Sequence, residues 1–227
     1  MADALRLILF DVDGTLIDSA GLISAAMAEA FSAAGRRAPT PIETRTIIGL
    51  SLPIAVARLD PDLDPPALDA VTAAYKAAFV RLRATGDEAT ATPLFPGARA
   101  ALERGDASGA LMGVATGKAR RGLEHILDGH DLRGFFVTTQ TADDAPSKPH
   151  PGMVLNALRA TGVDGARAAV VGDTSYDMAM ARAGGAAAIG VAWGCHHADA
   201  LIDAGAQAII ESFEALDDAL ERLGVGA

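Results

Sequence analysis

Leu5-Arg6-Leu7-Ile8-Leu9-Phe10-Asp11-Val12-Asp13-Gly14-Thr15 opens on six residues that are nearly all apolar and breaks off at two carboxylates and a glycine. A short uninterrupted apolar run suits a strand buried on both faces, as in a parallel sheet; a strand with one wet face would alternate. The abrupt change to Asp11-Val12-Asp13 puts polar groups at the end of that strand.

Directly downstream the pattern turns helical. Ile23, Met27 and Phe31 recur every four residues, with Leu22 and Ala30 beside them, and Gly35 offers a stop before the loop marked by Pro39 and Pro41. A second helix carries Leu68, Val71, Tyr75, Phe79 and Leu82 on one stripe and is expected to end at Gly86. Residues 45–59 read as helical in pieces around Gly49 and Pro53.

Beyond Pro93 strands return, at residues 110–115, 135–139, 168–171, 187–191 and 208–210. Helices intervene around Leu123, Ile126 and Leu127, at 153–160 and at 178–183, with a last one at 213–223. Such alternation predicts an α/β fold, an open parallel sheet with helices on both faces. The all-helical block interrupts it after the first strand. The expected division is a core of residues 1–16 and 92–227 and an inserted helical cap of residues 17–91.

Half of the 227 residues are hydrophobic but only 4% are aromatic, so the core is expected to be aliphatic. The formal net charge is −10, with no Lys/Arg block, which argues against a nucleic-acid partner. An acidic chain can still take an anionic substrate, because a metal and one lysine reverse the sign locally. The single cysteine, Cys195, excludes an intramolecular disulfide framework or a Cys-rich zinc cluster and fits a reducing compartment. No apolar stretch is long enough to cross a bilayer and no signal-peptide pattern opens the chain, so a soluble, cytoplasmic protein without a membrane partner is expected.

In open α/β sheets ligands bind outside the carboxyl ends of the strands. Three expected strands end there in Asp11-Val12-Asp13, Thr116-Gly117 and Gly172-Asp173, and a loop before a helix adds Lys148-Pro149. Grouped acids repel and raise one another's pKa values unless a cation joins them. Mg²⁺ takes oxygen ligands, commonly one or two carboxylates plus substrate phosphate, and Asp11 and Asp173 suit it. Lys148 would then offset phosphate charge.

Taken in order, these residues resemble the four motifs of the haloacid dehalogenase superfamily. They are Asp11-Val12-Asp13-Gly14-Thr15, the strand-ending Thr116 in Val114-Ala115-Thr116-Gly117, Lys148 in Ser147-Lys148-Pro149, and Gly172-Asp173-Thr174-Ser175-Tyr176-Asp177. The resemblance implies a hydrolase acting on a small phosphorylated metabolite. Asp11 would attack phosphorus and become an aspartyl-phosphate, and Asp13 would protonate the leaving oxygen and then activate water. Thr116 and Lys148 would hold phosphate oxygens, helped by backbone N–H groups near Asp13, Gly14 and Gly117, the last read as opening a helix. Mg²⁺ would sit on the carboxylates of Asp11 and Asp173 and the carbonyl of Asp13, with Asp177 a ligand or its support.

Asp13 also separates this chain from the true dehalogenases, which it resembles but which lack a second aspartate. Ile48-Gly49-Leu50-Ser51-Leu52, Phe95-Pro96-Gly97, Gly190-Val191-Ala192-Trp193-Gly194 and Ala204-Gly205-Ala206 resemble the phosphoglycolate phosphatase-like branch, which makes phosphoglycolate the leading substrate. A phosphotransferase or mutase is the alternative, although the histidine carried by the caps of β-phosphoglucomutases has no counterpart before His125. Lys76, the only lysine of the expected cap, gives no reason to assign it a Schiff base. A non-catalytic binding protein would need a degenerate motif set, and this one is intact. Cys195-His196-His197 reads as a surface loop rather than a metal site, Asp143-Asp144 as a solvated loop, and hinges are expected near residues 17–20 and 91–94.

Overall fold

The computed structural model describes residues 5–84 and 92–226. The apolar run forms strand β1, Leu7–Phe10, with all four residues buried. It pairs on one side with β2 (Leu111–Ala115) and on the other with β4 (Ala168–Gly172). With β3 (Thr138–Gln140), β5 (Ala187–Val191) and β6 (Ala208–Ile210) these make one six-stranded parallel sheet ordered β3-β2-β1-β4-β5-β6. The α/β expectation holds.

Both faces of β1 are covered because its side chains alternate between two cores. Ile8 and Phe10 join Met112, Val114, Val171 and Ile189 on one face, where helices α5 (Ala98–Ala107), α6 (Arg120–Gly129) and α10 (Leu216–Arg222) bring Leu102, Leu123 and Leu220. Leu7 and Leu9 join Val170 and Ala188 on the other, where α7 (Gly152–Thr161) and α8 (Ser175–Ala183) bring Met153, Val154 and Met178. A strand wet on neither face has no use for polar alternation, which is why the run reads as it does. The short helix α9, Ala198–Asp203, links β5 to β6.

Among the described residues, four helices lie between β1 and α5 in the chain: α1 (Ala20–Ala33), α2 (Pro41–Arg45), α3 (Leu52–Leu59) and α4 (Pro65–Arg83). They pack on their own apolar cluster, built on Met27, Phe31, Leu50, Val56 and Val71 and joined by Tyr176 from α8. Their starts follow local rules: Thr40 and Glu43 form a reciprocal cap ahead of Pro41, and Asp64 caps α4 just before Pro65. Ile17 stays in the sheet's core and bridges Leu94, while Asp18 N–H donates to Pro93 C=O, so the outgoing and returning chains run side by side.

Some expectations needed correction. Residues 133–135 form a 3₁₀ turn rather than the start of a strand, and β3 is only Thr138–Gln140. Its apolar lead-in Phe135-Phe136 packs against the core from that turn, so hydrophobicity there reports burial without extension. The expected stop at Gly86, and part of the expected hinge at 91–94, lie outside the described residues. Among the described residues no helix is long and apolar enough to cross a membrane.

Candidate active site

The strand order reverses between β1 and β4, since the chain builds outward to β3 on one side and to β6 on the other. A crevice at such a switch point is where open α/β sheets bind ligands. Asp11 follows β1 directly and Asp173 follows β4 directly. Asp11 N–H donates to Val171 C=O, which locks the two strand ends together.

Asp11, Asp173 and Asp177 are fully buried and can bring one oxygen each within 4.8 Å of one another. Lys148 Nζ lies 2.8 Å from Asp11 Oδ1 and 2.6 Å from Asp177 Oδ1. Beyond that ion pair, no hydrogen-bond donor reaches either Asp11 oxygen. Burial pushes the Asp11 carboxyl well up, with Asp177 and Asp173 adding to the rise and Lys148 opposing it. Asp173 rises to about 6, first through burial and then through Asp177. Burial would lower the Lys148 ammonium's pKa, but Asp11 and Asp177 outweigh it and hold the lysine charged.

Asp173 is clasped from three sides. Thr15 Oγ1 donates to its Oδ1 at 3.0 Å, Cys195 N–H to its Oδ2 at 2.8 Å, and His196 N–H to its carbonyl at 3.2 Å. Gly14 (φ +86°) and Gly194 make room: a Cβ would fall 2.2 Å from Asp173 Oδ2 at the first and 2.0 Å from Asp173 Cβ at the second. The segment 195–196 is therefore not just a surface loop. Cys195 is half-buried against Asp173, and His196 Nδ1 accepts from Ser175 N–H. Asp177 is the third residue of a reciprocal cap on α8: its Oδ2 accepts from Thr174 N–H and Oγ1, and Thr174 Oγ1 caps the helix in return. Both its oxygens are engaged.

Asp13 is held differently. Lys118 Nζ donates to Oδ1 at 2.7 Å and Oδ2 at 2.8 Å, and Ser19 Oγ also donates to Oδ1. Thr116 is buried at the end of β2, and its hydroxyl oxygen accepts from Lys118 N–H. The expected helix at Gly117 begins later, at Arg120 with Ala119 ahead of it, so Gly117 does not open a helix. Gly117 instead lies against the 49–50 turn of the helical layer, where a Cβ would fall 2.5 Å from Gly49 C=O and 2.6 Å from Leu50 C=O. Asp143 and Asp144 do more than face solvent: Asp143 accepts from Arg120 N–H, and Asp144 pairs with Arg120 and Thr141.

All the sequence-predicted site residues thus converge on one sheet edge. Sequence reasoning missed Lys118 and Ser19, and it placed Thr15 in the first motif without giving it a role. Lys118 stands two residues after Thr116, but a lysine on a loop carries no mark of an inward direction.

The donor set fits a hard divalent cation. Four carboxylates, Asp11, Asp13, Asp173 and Asp177, face two ammoniums, Lys118 and Lys148, and beyond Lys148 the Asp11 oxygens lack hydrogen-bond donors.

Comparison with known proteins finds relatives over most of the chain. The family model described as haloacid dehalogenase-like hydrolase matches residues 8–191. A probable phosphatase, IndB, of Dickeya dadantii (strain 3937) is 38% identical over 91% of this chain and 90% of its own length. A phosphoglycolate phosphatase of Pseudomonas fluorescens (strain Pf0-1) is 29% identical over 93% of this chain and 78% of its own. The crystal structure of a hydrolase from Pseudomonas syringae superposes with a TM-score of 0.85 at 25% identity, covering 98% of this chain and all of the other. With the four motifs gathered at the switch point of the sheet, the chain belongs to the haloacid dehalogenase-like hydrolase family.

Proposed function

We infer that the protein is a phosphoric monoester hydrolase that works through an aspartyl-phosphate on Asp11. The observation that carries this reading is the state of Asp11. It is a buried carboxylate that, apart from the Lys148 ammonium 2.8 Å from its Oδ1, has no hydrogen-bond donor on its oxygens. A nucleophile needs such a free lone pair, and an anionic one needs a cation beside it before it can approach a dianionic ester.

Mg²⁺ is the proposed cofactor, held by the carboxylates of Asp11 and Asp173 and the carbonyl of Asp13; when bound it would neutralise phosphoryl charge. Asp177 Oδ1 accepts from Lys148 Nζ at 2.6 Å, which suits Asp177 to orient that lysine. Lys148 binds a phosphoryl oxygen between Asp11 and Asp177, and Thr116 with the N–H groups of Asp13 and Gly117 takes the others; the Gly14 N–H, expected from the sequence to help, instead donates to Ile17 C=O at 2.9 Å. Asp13, gripped by Ser19 and Lys118, sits two residues from the nucleophile and serves the leaving oxygen and then the water.

Helices α1–α4 act as a cap, which begins after Ile17, since that residue, expected from the sequence to open the cap, is buried in the sheet's core. Ser147 Oγ accepts from Ser51 N–H, Tyr176 Oη donates to Thr46 C=O, and Arg45 donates to Gly194 C=O. Each of these core residues neighbours a site residue, so closing this layer excludes water while it completes the site. The relatives named phosphoglycolate phosphatase make 2-phosphoglycolate the first ester to test.

Phosphate release from that ester should require Mg²⁺ and should vanish in Asp11→Asn, while acid-quenched wild-type protein should carry a phosphoryl group on Asp11. Undiminished turnover by Asp11→Asn would sink the reading. Phosphate delivered to a second sugar or alcohol instead of water would move the protein to the transferases.

A further inference from the structure

Lys118 lies just past the end of β2, and the chemistry above gives it no partner beyond Asp13. Its ammonium has three donors, and the two oxygens of Asp13 take two of them. The same nitrogen stands 5.2 Å from the centre of the Phe79 ring of α4, inside the range over which an aromatic face attracts a cation. The Lys118 and Asp13 side chains are each only 11% exposed, so the pair belongs to the wall between the sheet and the helical layer. Tyr75, one turn before Phe79, packs its ring 5.8 Å away. Burial, with the charge of Asp13 added, pushes the Tyr75 phenol up and keeps it a neutral donor.

This geometry divides the site into two ends. Lys148 pairs with Asp11 and Asp177 at the phosphoryl end. Lys118 pairs with Asp13, which meets the leaving oxygen, and faces the aromatic side chains of α4. A leaving oxygen served by Asp13 would lie one hydrogen bond from it, as Lys118 Nζ does, so the two would be separated by two such bonds at most through a shared oxygen, about 5.5 Å. A carboxylate on the carbon next to the ester oxygen spans that gap. An uncharged substituent of the same size would offer a largely buried ammonium at best a neutral acceptor, a weaker partner than a carboxylate.

We propose that Lys118 is a specificity-determining residue that binds an anionic group on the leaving half of the substrate, so that the preferred esters are short phosphorylated hydroxy acids. This rests on the phosphatase reading and sharpens it. The Phe79 and Tyr75 rings limit the size of the acid, and Asp13 keeps Lys118 pointed inward when no substrate is bound.

The test compares 2-phosphoglycolate with 2-hydroxyethyl phosphate, which replaces the carboxylate by a neutral hydroxymethyl group, both at saturating Mg²⁺. The wild type should favour the carboxylated ester in kcat/KM by about 10- to 100-fold, the range of one charge-assisted hydrogen bond. In Lys118→Met that ratio should fall towards one, mainly through KM for 2-phosphoglycolate, and Lys118→Arg should keep most of it. Loss of Asp13 alignment would slow both esters alike, so the ratio is the readout. Equal losses on the two esters in Lys118→Met, or a wild type blind to the charge, would overturn the proposal. Should Lys118→Met fail to fold by circular dichroism, the wild-type ratio and its retention in Lys118→Arg decide alone. A wild type that hydrolyses neither ester would remove the phosphatase reading as well, whereas hydrolysis of both without preference removes only the role of Lys118.

Discussion

Asp173 shows how burial turns a single carboxylate into a lever on the whole fold. Its pKa rises from 3.8 to about 6, so between those values the native state binds the proton that the unfolded state has released. Stability from this group is present in full below pH 3.8 and is lost as pH rises through about 6. Asp11 is shifted in the same direction and adds to the loss. Metal-free protein should therefore melt at a lower temperature at pH 7 than at pH 5, and Mg²⁺ should restore the loss above pH 6 by binding the ionised form. Melting curves across pH, with chelator and with Mg²⁺, check this; a flat metal-free profile would contradict it. Asp173→Asn should raise the metal-free melting temperature at pH 7, because it removes an unfavourable buried charge, and should abolish the response to Mg²⁺. The gain is on the order of 2–3 kcal/mol, the free-energy equivalent of a shift this large.

At the level of elements, α8 links helix capping to the site. Thr174 and Asp177 cap the helix reciprocally, and the Asp177 oxygen left over holds Lys148 at 2.6 Å. Thr174→Ala should cost about 1 kcal/mol of stability, the usual value of an N-cap. It should also lower turnover, since Asp177 loses the Thr174 hydroxyl donor, keeping only the backbone N–H, and Lys148 loses a firmly fixed partner. Thr174→Ser should retain both. Denaturant midpoints alongside steady-state rates separate the effects; a stability loss without a rate loss would show that capping and Lys148 placement are independent. The central strand should be less forgiving. Phe10 is fully buried in the core on one face, and Phe10→Ala should cost about 3–5 kcal/mol.

For the whole molecule, the fit between the helical layer and the sheet is set by backbone contact as much as by side chains. A methyl group at Gly117 would meet the carbonyl oxygens of Gly49 and Leu50 at 2.5 and 2.6 Å, and backbone cannot rotate away as a side chain can. Gly117→Ala should push the 45–51 segment off the sheet edge. The expected result is at least a tenfold loss in kcat/KM, about 1.4 kcal/mol, with little change in melting temperature. Faster amide exchange in residues 45–51 would locate the effect, and unchanged exchange would argue against it. Tyr176→Phe removes only the bond to Thr46 C=O and should produce a milder version, about 1 kcal/mol.

The open parallel sheet was legible in the sequence because a doubly buried strand such as Leu7–Phe10 must be apolar throughout, and Asp11, Thr116, Lys148 and Asp173 were legible because residue type and order mark them. Periodicity likewise marked α1 and α4, although it overran at Phe135-Phe136, where a turn buries the same side chains that a strand would. What the chain order could not carry was direction and distance between segments far apart in sequence. Lys118 sits 105 residues from the Asp13 it grips, and Cys195 22 residues from the Asp173 it holds. Only packing of the two layers aims Lys118 inward and seats Gly117 under the 49–50 turn. Local patterns record whether a residue is buried; the folded chain alone records what it is buried against.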